Sequence, residues 1–277
     1  MLEHVEMLFP ASSALWAFVS LIVAALIGVS VRRVLPEEHK AQETVQLVQL
    51  TIGMLVTFAA LLLSLLTASS KASFDNVADD FHVFAADLIQ LDTTLRAFGE
   101  EGDKARLLLR SYTAATIAST WPHEKRPPGD YYPKNMELKD VSENLDDVRL
   151  DQLLNEAGKE VRRLAAMDPY HQALRNEGLE QFARTMSAHW KLIDEAHSSI
   201  SVPFLMTLAF WLFVIFFSFG LIAPHNALAL VTIGLGAVLL ASVVYVIVDF
   251  DTLFRGFIIV PSQSMRGALA HMLLGER

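Results

Sequence analysis

Apolar and polar positions alternate along this chain in long blocks. Four apolar segments run from Ser13 to Val31, Val45 to Leu66, Val202 to Ile222 and Ala227 to Val248. Each is near the ~20 residues that a helix needs to cross a hydrocarbon core of about 30 Å. None holds an Asp, Glu, Lys or Arg within those limits. The segments fall into two pairs, and about 130 mostly polar residues separate them. The pattern predicts an all-α integral membrane protein with four transmembrane helices in a 2+2 arrangement. Residues 1–70 hold the first hairpin, 71–198 an extramembrane domain, 199–250 the second hairpin and 251–277 a C-terminal tail.

The second span carries no obvious stop. No Gly or Pro occurs between Met54 and Phe98. Beyond the span, Phe74, Val77, Phe81, Phe84, Leu88, Leu91, Leu95 and Phe98 recur in alternating steps of three and four. One helix from about Thr44 to Phe98 is predicted, roughly 80 Å long at 1.5 Å per residue. Gly99 and Gly102 end it. A helix over Asp103–Trp121 follows, with Asp103 as N-cap and Pro122 as stop. Residues 122–135 carry four prolines and a glycine and read as a loop. Helix resumes from about Leu145 to Ala166 and again near Pro169. Pro203 predicts a kink or a fresh start where the third span begins. The polar domain is therefore expected to be all-α and formed by extensions of helices 2 and 3.

Composition narrows the chemistry. There is no cysteine, which excludes disulfides and thiolate chemistry. Net charge is −9, and residues 71–198 carry 16 Lys+Arg against 23 Asp+Glu. So acidic a domain is a poor partner for nucleic acid. Residues 1–12 hold no Lys or Arg, so the first segment reads as a transmembrane helix and not as a cleaved signal. The basic residues Lys71, Arg184 and Lys191 tip the orientation toward both termini and the helical domain in the cytoplasm, across the inner (cell) membrane. The nine histidines form no recognised metal spacing. His189 and His197 lie on the helix before the third span, as core or surface residues or as pH-sensitive ones. No phosphate loop, nucleophile elbow or dinucleotide fingerprint is present, so neither an enzyme nor a cofactor is expected.

One helical line is chemically distinct. Gly53, Thr57, Ala60, Ser64, Thr67 and Lys71 follow steps of four and three along the second span. Small and hydroxylated residues in such a row serve close helix packing. They serve equally as the polar lining of a pore, with Lys71 at its mouth. The same steps continue into Phe74, Phe81 and Leu88, which fits a hydrophobic constriction or a plain coiled-coil seam. At the end of the fourth span, Asp249 and Asp251 stand at the membrane boundary. Arg255 is four residues beyond Asp251, within pairing reach. An ion pair fixing the helix end and a cation gate are the two readings. Two carboxylates are too few for a calcium site.

The run from Gly53 to Leu65, followed by Ser73-Phe74-Asp75, resembles the second-helix signature of the bestrophin-like family of bacterial membrane proteins. So does the tail, where Asp249, Asp251, Gly256, Ile258, Val260 and Arg266 fit the family's pattern. Thr252-Leu253 replaces an Arg-Pro and departs from it. The resemblance implies a distant relation to bestrophins, homopentameric anion channels whose second helix lines the pore and whose phenylalanines form a neck. It implies pore lining by the Gly53–Lys71 row, a homo-oligomer, small inorganic ions as cargo and lipid as surroundings. The bestrophin calcium clasp is not implied, because its acidic run is matched only by Asp249 and Asp251. The competing expectation is a non-conducting scaffold or sensor whose helical domain recruits a partner.

Overall fold

The computed structural model describes residues 9–34, 42–127, 148–165, 167–196, 202–224, 226–254 and 256–274. The described residues form helices without strands: α1 (Phe9–Val34), α2 (Gln42–Phe98), a 3-10 turn (Glu100–Gly102), α3 (Asp103–Thr120), α4 (Val148–Arg163), α5 (Pro169–Ala196), α6 (Val202–Ile222), α7 (Ala227–Asp251) and α8 (Gln263–Leu273). The chain divides into two compact units. The first comprises Met1–Phe74 and Ser199–Ile259, the second Asp75–Ser198 and Val260–Arg277. The C-terminal tail is thus shared: residues up to Ile259 belong to the first unit and those from Val260 to the second.

Helices α1, α2, α6 and α7 are each long and apolar enough to cross a membrane. In the first unit α1 packs on α6 and α7. Leu21, Ala24 and Ala25 of α1 share one core with Ile52, Ala59 and Leu66 of α2, Leu212 and Phe216 of α6 and Ala237 of α7. The α1–α6 approach depends on two glycines. A Cβ on Gly28 would stand 2.0 Å from the Phe217 carbonyl oxygen, and one on Gly220 would stand 2.0 Å from that of Ala25. Small residues let membrane helices meet backbone to backbone in this way. The Arg32 guanidinium then donates to the Ala223 carbonyl and ties the end of α1 to the loop after α6. Outward, Leu47, Leu50, Met54, Leu61 and Leu65 of α2 are exposed. Exposed leucines are costly in water and at home in hydrocarbon, so this pattern belongs to a membrane protein.

The second unit follows the opposite rule. Phe81, Phe84, Leu88, Leu91 and Leu95 of α2 are buried, as are residues 109–120 of α3 without a break. The turn between them needs both expected glycines. Gly99 has φ +89°, and a Cβ on Gly102 would stand 2.2 Å from the Leu95 carbonyl oxygen. Asp103 departs from expectation. The N-cap is Gly102, while Asp103 is the first helical residue and pairs with Arg106 at 3.0 Å. Two buried threonines of α3 bond within it: Thr113 Oγ1 donates to Leu109 O at 2.8 Å, and Thr116 Oγ1 to Tyr112 O at 2.9 Å. At the α4–α5 contact, a Cβ on Gly158 would meet the Phe182 ring at 2.3 Å.

Helix α2 runs unbroken for 57 residues, as its lack of Gly and Pro predicts. Helix α4 ends at Arg163, short of the expected Ala166, and the expected start near Leu145 lies outside the described residues. At the start of α5, Asp168 Oδ1 accepts the His171 N–H at 2.9 Å, which caps the helix that Pro169 opens. Pro203 sits in the first turn of α6, the fresh start that its ring predicts. Most of the proline-rich segment, together with His197 and Arg255, lies outside the described residues.

Candidate ion pathway

Side chains on the membrane part of α2 fall into three sectors. Ile52, Ala59 and Leu66 are buried against α1, α6 and α7. About 100° per residue round the helix, the Gly53 row begins one position on. Gly53, Thr57, Ala60, Ser64 and Lys71 are exposed, and Thr67 is half-buried. Nothing lies within 4 Å of where a Gly53 Cβ would stand. The row therefore turns away from the chain's own core. Beyond it lie the exposed leucines.

Two hydroxyls of the row are already engaged as donors. Thr57 Oγ1 donates to Gly53 O at 2.9 Å and Thr67 Oγ1 to Leu63 O at 2.7 Å. Their lone pairs remain to face a ligand or a neighbour. Lys71 closes the row. Its Nζ lies 5.9 Å from the ring centroids of both Phe74 and Phe250, and those rings meet edge to face at 5.4 Å. The cation is thus held over two aromatic faces from α2 and α7, which fixes where its charge stands.

The expected constriction is not part of this row. Phe74 is 8% exposed and Phe81 and Leu88 are fully buried. Phe81 packs against Trp121 with ring centroids 5.1 Å apart. The reason is geometric. A seven-residue step falls about 20° short of two full turns. A line drawn in such steps from Gly53 therefore drifts off the exposed face and joins the buried one. In this chain the three side chains build protein core.

Asp249 also has a role other than the expected one. It is fully buried. Its carboxylate accepts the Phe257 N–H at 2.8 Å and the Ile258 N–H at 2.9 Å. A Cβ on Gly256 would stand 2.5 Å from Asp249 Oδ1, so the loop closes over the carboxylate only because residue 256 has no side chain. The acid is thereby satisfied by backbone donors at the end of a membrane helix, where an unpaired charge would be costly. Asp251 is exposed. Its pairing with Arg255 falls outside the described residues.

Sequence spacing did not bring together three polar groupings of the second unit. His189 is buried between Tyr112, whose hydroxyl lies 2.9 Å from Nδ1, and Asp151, whose Oδ1 lies 2.8 Å from Nε2. With the carboxylate accepting from Nε2–H, Nδ1 is left to accept the phenol proton. Burial pushes the Tyr112 hydroxyl well above its ordinary pKa, so it stays a donor. Asp92 is buried and receives Arg106 at 3.1 Å and Arg96 at 2.9 Å. Trp121 Nε1–H donates to Val260 O at 2.7 Å, and Glu124 receives Arg266 and the Ser262 hydroxyl. Val260 and Arg266, two of the tail residues that carry the family resemblance, are therefore docking contacts of α8. Among the described residues, no three His, Asp or Glu side chains are placed to hold a metal ion.

A family model described as Bestrophin-like domain matches residues 18–265. No curated protein matches the sequence. Among solved structures the chain is similar to variants of a bacterial bestrophin homologue from Klebsiella pneumoniae. One aligns with TM-score 0.64 at 12% identity, covering 96% of this chain and 97% of that one. Another aligns with TM-score 0.61 at 14% identity, covering 94% and 97%.

Proposed function

This chain belongs to the Bestrophin-like family, and from that premise we propose that it is an oligomeric ion channel, anion-conducting, with α2 lining the path. The observation that carries the reading is the exposure of the Gly53–Lys71 row on a helix whose adjacent face is buried. A row of hydroxyls and small residues gains nothing from lipid. It gains from water and ions on the axis of a ring of copies, each contributing one α2. Five copies is the number the bestrophin likeness implies. With the Thr57 and Thr67 protons directed to backbone carbonyls, the preference for anions rests on Lys71. Held over Phe74 and Phe250, it would set a ring of positive charge at one end of the row. We place the protein in the cell membrane with the termini and the second unit in the cytoplasm, on the distribution of Lys and Arg.

Purified protein in planar bilayers tests this. Discrete currents are expected, with reversal potentials favouring the anion in a salt gradient. Lys71→Glu should shift the reversal potential toward cations, and Thr57→Leu should lower conductance. No current across pH and calcium, with a neighbour's helix packed on the row in an oligomer structure, would overturn the reading.

A further inference from the structure

In the first unit, a cleft of about 320 Å³ opens between the last turns of α1 and the first turns of α7. Val29 on one wall and Ala229, Leu230 and Ile233 on the other make it apolar, and Arg33 stands at its rim. Leu230 is 68% exposed. The cleft thus lies at the ends of two spans and opens outward, where acyl chains are the surrounding medium.

Among the described residues that line the cleft, the charge has one sign. No Asp or Glu is among the described lining residues. The neighbouring Arg32 is directed elsewhere, to the Ala223 carbonyl. Nor does the start of α7 provide the anion's site, because Asn226 Oδ1 already accepts the Ala229 N–H at 2.8 Å. Arg33 is left as the exposed cation directly beside an apolar cleft, on a stem that can run along its wall with the guanidinium at headgroup level. A planar fork of donors at that depth suits a phosphate diester.

We propose that this cleft is a binding site for an anionic phospholipid. One acyl chain fills the apolar part and the phosphate pairs with the Arg33 guanidinium. The site does not depend on conduction and stands or falls separately from the channel reading.

The test uses the full-length oligomer, extracted in mild detergent and equilibrated with vesicles of equal phosphatidylglycerol and phosphatidylcholine. Retained lipid is read by native mass spectrometry. Wild type should hold phosphatidylglycerol in preference by about fivefold, the worth of one basic residue at a membrane surface. Arg33→Gln should abolish the preference while leaving some lipid of either kind. Ala229→Phe, or Val29→Phe should the first not assemble, should displace both lipids by filling the cleft. Millimolar inorganic phosphate should leave retention unchanged, because it lacks the acyl chain. An undiminished preference in Arg33→Gln would overturn the proposal. So would complete competition by free phosphate, or an intact wild-type oligomer carrying no lipid, which would mean that a second copy covers the cleft.

Discussion

The two units of this chain solve opposite problems with the same element. In the membrane unit the exposed leucines of α2 need no cover, and the anomaly is an exposed polar row, Gly53 to Lys71. In the second unit the apolar residues go inside, and the anomaly is buried polarity: Asp92, Arg106, Tyr112 and His189. Where a protein's surroundings are apolar, hydrophobicity says little about which face is inside, and steric fit decides. Where they are aqueous, hydrophobicity chooses the inside face and hydrogen bonds must then satisfy whatever polar groups are carried in with it. One helix, α2, obeys both rules in turn.

The sharpest way to break the contrast is to attack each unit by the means said to hold it. Asp92→Ala should cost the second unit about 3 kcal/mol or more, because it strands the buried Arg106 guanidinium beside no buried acid. Thermal unfolding in detergent, followed by hydrogen exchange in α3, would show it. Gly28→Leu should cost the first unit a comparable amount, near 3 kcal/mol, by forcing α1 off the Phe217 carbonyl. Here the exchange should rise in α1 and α6 and leave α3 protected. If either substitution loosened both units equally, the division of labour would be wrong.

Sequence pattern carried much of this fold for reasons that can be named. The length of α2 was legible because helix breakers are absent from Met54 to Phe98, and its end because Gly99 and Gly102 are both needed there. The burial of Phe81 and Leu88 was legible in the apolar stripe from Phe74 to Phe98, but its offset from the Gly53 row was not. Steps of three and four read as one line on paper, while on a 3.6-residue helix they drift from an exposed face to a buried one. Asp249 was legible only as a charge at the membrane boundary, because a carboxylate that accepts backbone N–H groups leaves no charged residue to find by spacing. The Tyr112–His189–Asp151 relay joins residues 77 and 38 apart in sequence, beyond any local periodicity.

That relay supplies a milder test. His189→Phe keeps the volume near Phe84 but leaves the Tyr112 hydroxyl buried without its acceptor, and about 2 kcal/mol of stability should go. His189→Gln retains a donor and an acceptor and should recover part of it. Equal losses for the two would mean that packing, not the hydrogen bonds, sets the role of this position.

The smallest effect concerns pH. Lys191 Nζ lies 2.7 Å from Asp80 Oδ1 and 3.6 Å from Glu195 Oε1. The other oxygen of each carboxylate is buried without a hydrogen-bond partner. Burial, and then the neighbouring Asp80, raise the Glu195 pKa above its ordinary value. A carboxyl group whose pKa is raised by folding prefers to stay protonated in the folded state. Its contribution is therefore fully present below the ordinary glutamate range and declines as pH rises through the folded value. Lys191 offsets part of this, so the effect should be the smallest of the series. Glu195→Gln should flatten that part of the pH dependence of thermal unfolding, above the ordinary glutamate range. It should do so without altering the membrane unit, because Glu195 belongs to the other one. An unchanged slope in Glu195→Gln would show that Asp80 and Lys191 alone set the charge balance there.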